Sequence, residues 1–179
     1  ILENMNLIKN EKLDKNKYVV YTRAYYEEPY LDFFIEHYIK LGFDLIIILI
    51  DKKSKYKCPK EFKNNIKLVK FKKNVGNELL NDYSHLIKNK YNWILNCDVD
   101  EFLFFDNKYK NIKDFVCSKL TIEPNINIFY FRWANIEKID NHNIKDFNNL
   151  LNKYPLYNHF SIKSMFKSKD FKSFQNPHT

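Results

Sequence analysis

Six aliphatic residues in succession, LIIILI at positions 45–50, leave little choice of architecture. The run is far too short to span a bilayer, too rich in branched residues for a good helix, and free of polar alternation. Such a segment suits a strand covered on both faces, which is the strand of a parallel sheet whose crossover helices supply the cover. The chain just before it provides one. Residues 27–42, EEPYLDFFIEHYIKLG, repeat Leu31, Phe34, Ile35, Tyr38 and Leu41 at helical spacing, with two glutamates and Pro29 at the start and Gly42 just past the end.

The same alternation continues through the first hundred residues. Strands are predicted over 17–23 (KYVVYTR), 43–51, 66–71 (IKLVKF) and 93–100 (WILNCDVD). A second helix is predicted over 77–91, where Leu79, Leu80, Tyr83, Leu86 and Ile87 share a face. Strands and helices in this order predict a Rossmann-like α/β fold, a mostly parallel sheet with flanking helices. Ligands of such sheets bind beyond the carboxyl ends of the strands. Arg23, Asp51, Asp98 and Asp100 all fall at those ends. Past residue 105 the expected elements are a helix over 111–120, a strand over 127–133, a short helix over 144–153 and a strand over 161–168.

With 45% hydrophobic and 17% aromatic residues, the chain is not disordered. No signal peptide opens it and no segment is long and apolar enough for a membrane span, so it reads as soluble. Opening on Ile1 rather than an initiator Met, it reads as a piece of a longer protein. Cys58, Cys97 and Cys117 are odd in number and widely spaced, which predicts free thiols and favours a reducing, cytoplasmic compartment. With Gly42 and Gly76 the only glycines, glycine-rich phosphate loops are excluded. The net charge is +8, but the lysines run along the whole chain, as solvated surface does, and no nucleic-acid partner is expected. Only Arg23 and Arg132 are arginine, the residue whose planar fork suits phosphate or carboxylate.

The segment 93–105, WILNCDVDEFLFF, sets Asp98, Asp100 and Glu101 inside an apolar run. Buried carboxylates need compensation, from a metal cation, from basic partners or from exposure at a strand end. In an extended segment Asp98 and Asp100 would face one site while Val99 packs inward. Two carboxylates suit a hard divalent ion, Mg²⁺ or Mn²⁺, completed by water and phosphate oxygens. The plainer reading is a pair of solvated strand-end acids. An EF-hand is excluded, since Leu103 stands where its glycine belongs and Tyr109 where its closing acid belongs. A haloacid-dehalogenase-like phosphohydrolase built on Asp98 is the enzymatic rival; Phe102 and three preceding strands argue against it.

YTRAYYEEPYLDFFIEHYIKLGFDLIIILID resembles the opening of family 2-like and family 92-like glycosyltransferases of GT-A fold, R-N-E-x-P-Y-L followed by a helix and a strand ending in Asp. WILNCDVDEFL is similar to their W-I-x-x-x-D-V-D-E-F-L. The resemblance implies one GT-A-like domain over 1–179, with a polar lead (1–16), a nucleotide-sugar half (17–105) and an acceptor half (106–179). It implies transfer of a sugar from a nucleotide diphosphate donor, a UDP-sugar, to a glycan or protein acceptor with Mn²⁺ or Mg²⁺. Asp98 and Asp100 then match the metal-binding carboxylates, Asp51 the nucleoside acid, and Arg23 and Glu27 the positions beside the nucleotide. Lys163 and His178 come from the late region, Lys163 as a diphosphate contact and His178 as a third metal ligand. If the transfer inverts the anomeric centre, FRWANIEKIDNHN offers Glu137 and Asp140 as catalytic base, and Asp140 is the one expected. Glu101 suits a structural acid as well as a catalytic one, and Trp133 suits the core better than a sugar platform. The chain departs from the pattern in having Ala24 for Asn, two extra residues between Arg23 and Glu27, Phe33 and Phe34 for an acid and a Trp, and Tyr38 for the helix His, which leaves His37 at the surface. The non-enzymatic alternative is a GT-A-like domain binding an anionic glycan or polynucleotide.

Overall fold

The computed structural model describes residues 16–71, 77–105, 108–135 and 156–175. Six strands form one sheet: β1 (Tyr18–Ala24), β2 (Leu45–Asp51), β3 (Ile66–Phe71), β4 (Trp93–Asn96), β5 (Ile128–Asn135) and β6 (Tyr157–Lys167), in the order β3-β2-β1-β4-β6-β5. The first four are parallel, while β6 runs antiparallel to both β4 and β5. The helices are α1 (Glu28–Lys40), α2 (Asn77–Asp82) and α3 (Ile112–Ile122). The α/β fold expected from the strand and helix pattern is the fold found.

β1 and β2 are buried along nearly their whole length because helices cover both faces of the sheet. On one face Val20, Ile46, Ile48, Ile50 and Leu95 pack with Phe34, Ile35 and Tyr38 of α1 and Ile112 and Val116 of α3. On the other, Val19, Tyr21, Ile47, Leu49 and Ile94 pack with Leu79 and Leu80 of α2 and with Leu86 and Ile87. Each fully buried aliphatic side chain contributes about 1.5–3 kcal/mol, so this double cover is the main source of stability. Gly42 ends α1 at φ +93°, and a Cβ there would come within 3.2 Å of Asn111 Cβ. Asn111 in turn caps α3 by accepting from the Asp114 N–H at 2.9 Å.

Three expected elements differ. The helix over 77–91 is only Asn77–Asp82, followed by a 3₁₀ turn at Ser84–Leu86. The chain must turn back into β4, and Asn89, at φ +60°, makes that turn and donates its N–H to Ser168 O at 3.2 Å. β4 stops at Asn96, four residues before its expected end, and β6 begins at Tyr157 rather than at 161. The helix expected over 144–153 lies outside the described residues. No helix of the described residues is long and apolar enough to cross a membrane. Cys58, Cys97 and Cys117 are free thiols, with Cys97 buried.

Candidate active site

Where β4 ends, the chain does not run on as a strand. Glu101 N–H donates to Asp98 O at 3.1 Å, closing a turn, and Asp98 N–H donates back to Glu101 Oε2 at 2.8 Å. The expected geometry, two carboxylates on one side of an extended segment, is therefore corrected. Asp98 and Asp100 reach the same cleft as parts of a turn, with Val99 fully buried beneath them as expected. Past Asn96, the last residue of β4, whose side-chain amide donates to Tyr21 O at 2.9 Å, the chain leaves the sheet and its next residues are held by α1.

That grip comes from Tyr38 and His37. The buried Tyr38 hydroxyl donates to Glu101 O at 2.9 Å and accepts from Leu103 N–H at 3.1 Å. His37 Nε2 donates to Leu103 O at 2.7 Å, and its ring meets Phe102 edge-on. His37 is thus not a surface residue: it is half-buried, its pKa is lowered by burial, and it fastens the loop as a neutral imidazole. Phe33 and Phe34 of the same helix pack against Phe102.

Above the turn lies a cleft of about 390 Å³ lined by Arg23, Tyr25, Glu27, Phe71, Leu79, Asp98, Asp100 and Glu101. Arg23 Nε stands 3.8 Å from Asp98 Oδ1, and its Nη1 is buried with no hydrogen-bond partner among the described residues. Lys163 arrives from β6, with Nζ 2.9 Å from Asp98 Oδ2 and 3.2 Å from Glu101 Oε2. Burial opposes the Lys163 charge, but Glu101 and Asp98 outweigh it and hold the ammonium above its ordinary pKa. For Glu101 the balance falls the other way: burial pushes its carboxyl up to about 7 despite the attraction of Lys163. Burial also raises Glu27, which accepts from Tyr25 N–H at 3.2 Å, and the charges of Asp100 and Asp98 add to that rise.

Of the residues expected from sequence, Arg23, Glu27, Asp98 and Asp100 line the cleft, and Lys163 reaches Asp98. Asp51 stands apart at the neighbouring strand end, where its Oδ1 accepts from Lys53 N–H at 2.6 Å and closes a local turn. Asp140, Glu137 and His178 lie outside the described residues, as does the side chain of Trp133. Tyr25, Phe71 and Leu79 were not foreseen in the site. Phe71 had a signal, since it ends β3 at the ligand edge of the sheet.

The charges of the cleft do not cancel by number. Four carboxylates, Glu27, Asp98, Asp100 and Glu101, meet two cations, Arg23 and Lys163, which leaves a surplus of negative charge once Glu27 and Glu101 are ionised. Asp100 is exposed and makes no hydrogen bond among the described residues, so its oxygens face the solvent side of the cleft. No three His, Cys, Asp or Glu of the described residues are grouped closely enough to hold an ion by themselves. Asp98 and Asp100 could supply at most two carboxylates to a divalent ion, which would need oxygens from water or a ligand for the rest of its shell.

A sheet of this order, with a carboxylate turn and two cations at the carboxyl end of β4, is a Rossmann-like α/β domain with its charged cleft at the ligand edge. The sequence model of Glycosyltransferase family 92 matches residues 10–178, and the chain belongs to that family; it is a glycosyltransferase. Among solved structures it is similar to CMP:2-keto-3-deoxy-manno-octonic acid synthetase complexed with CTP, at 13% identity over 87% of this chain and 75% of that one, with a TM-score of 0.45. No curated protein matches the chain.

Proposed function

We propose that this glycosyltransferase takes a UDP-sugar as donor, with Mn²⁺ or Mg²⁺, and passes the sugar to a hydroxyl of a glycan or protein acceptor. The observation that carries the reading is the Asp98–Glu101 turn set between Arg23 and Lys163 at the end of a buried parallel strand. Asp98 and Asp100 would hold the ion. Its contribution when bound is to offset the negative charge that builds on the departing diphosphate. Arg23 supports this through Nη1, a donor fork that is buried and unsatisfied among the described residues and that a phosphate oxygen would satisfy. Lys163 holds Asp98 and Glu101 in place and adds positive charge beside the diphosphate. Glu27 braces the β1–α1 loop through Tyr25 N–H. Asp51 would serve the nucleoside at the next strand end, His178 would be a third protein ligand of the ion, and for transfer with inversion Asp140 would take the proton of the acceptor hydroxyl.

The test is calorimetric titration of UDP with and without Mn²⁺, on the wild type and on Asp100→Ala. Binding should require the ion and vanish in the variant while the melting temperature holds, because Asp100 is exposed and its loss leaves no buried group unpaired. Metal-free UDP binding of equal strength in both proteins would overturn the reading.

A further inference from the structure

The lysines are spread over the chain, but one edge of the sheet carries more of them than its share. Residues 52–70 hold eight of the 30 basic residues and one of the 22 acidic ones, a local charge of +7 against +8 for the whole chain. They form the connection from β2 to β3 and most of β3 itself, the edge strand of the parallel half. Lys52, Lys53, Lys55, Lys57, Lys60, Lys63 and Lys70 are exposed. The first six make no ion pair with a carboxylate among the described residues, and Lys70 Nζ donates to Ser54 O at 3.4 Å.

This basic segment is held as a face. Lys52 N–H donates to Phe71 O at 2.9 Å, which ties its start to the ligand edge of the sheet. Tyr56 OH donates to Asp32 of α1 at 2.6 Å, Phe62 packs against the core, and Asn65 Nδ2 donates to Asp44 O at 3.2 Å at the opposite edge. The segment therefore runs from one end of the parallel strands to the other, a span of roughly 20 Å for the six residues of β3.

We propose that this edge docks on an anionic membrane surface. The chemistry selects that partner over a polynucleotide. A nucleic-acid face grips phosphates with arginine forks and stacks bases on aromatic rings, whereas residues 52–70 contain no Arg and present no exposed large apolar or aromatic side chain. A set of exposed ammonium groups without a fork or a wedge suits a diffuse plane of negative charge, the surface of a leaflet rich in acidic headgroups. Each lysine near such a surface adds roughly fivefold in affinity. The acidic cleft takes no part in the contact, so the inference does not depend on the identity of the sugar donor.

The experiment is co-sedimentation of the 179-residue chain with vesicles of phosphatidylcholine alone and of phosphatidylcholine with phosphatidylserine in about a three-to-one ratio. The chain should bind only the acidic vesicles and be released by high salt. The variant K52Q/K53Q/K55Q/K57Q/K60Q/K63Q should lose about a hundredfold or more in vesicle affinity. A second variant with equal charge change elsewhere, K88Q/K108Q/K110Q/K113Q/K169Q/K172Q, should lose about tenfold at most. Equal losses in the two variants, binding to neutral vesicles, or tighter binding of duplex DNA than of acidic vesicles would each overturn the proposal. Unchanged melting of both variants shows that the comparison is made on folded protein.

Discussion

β2 and β4 flank β1 and pair with it in the same parallel sense, yet they end in opposite ways. β2 runs seven residues and closes on itself: Asp51 accepts from Lys53 N–H, and Ser54 N–H donates to Asp51 O. β4 runs four residues and ends in a turn whose groups are met by distant parts of the chain, Tyr38 of α1 and Lys163 of β6. A strand end satisfied by its own neighbours makes a stable corner. One satisfied from elsewhere keeps several charged groups converging on one cleft, and that is where a site forms.

The sharpest way to break this contrast is to remove the distant partner. Lys163→Met leaves Glu101 uncompensated and Asp98 with Arg23 alone, and losing the cation beside the largely buried Glu101 should cost about 2–4 kcal/mol near pH 8. The cost should shrink near pH 5 because Glu101 can then take up a proton. Chemical denaturation at the two pH values checks it; equal losses at both would show that the two carboxylates do not depend on Lys163.

Next comes Glu101 itself. Its carboxyl is held at about 7, above its ordinary 4.5, so the folded chain binds that proton more tightly than the unfolded chain. Without metal, stability should therefore fall as pH rises from about 4.5 to about 7, by on the order of 2–3 kcal/mol. Glu101→Gln should flatten that slope in a chelated buffer. An unchanged slope would assign it to another group.

The smallest effect belongs to the self-contained end. Asp51→Ala should lower stability by less than about 1 kcal/mol, since only an exposed turn cap is lost. Nucleotide affinity should fall by roughly 1–3 kcal/mol if the residue meets the nucleoside. A sharp drop in melting temperature with unchanged affinity would reverse those two roles.

Much of this was legible in the residues. Leu31, Phe34, Ile35 and Tyr38 marked the buried face of α1, and the aliphatic run of β2 marked a strand covered on both sides. The overrun of β4 has a physical cause: Cys97 and Val99 are buried, and apolar pattern reports burial whether or not a strand pairs there. His37 was misplaced at the surface for a related reason. Helical spacing put it at the rim of the apolar face, and only the returning loop at Phe102 and Leu103 covers it.

By itself the sequence determined the parallel half of the sheet, its helices, and the fact that Asp98, Asp100 and Glu101 stand at a strand end in need of compensation. Those features rest on period, branching and local charge, which act between near neighbours. Which cation answers the carboxylates was decided only by the tertiary structure, because Lys163 lies 65 residues from Asp98 and is brought there by antiparallel pairing of β6 with β4. The turn at Asp98–Glu101 closes on its own two hydrogen bonds, but its anchoring was decided the same way: Tyr38 of α1 bonds Glu101 O and Leu103 N–H, and such long-range pairing follows from the packing of whole elements.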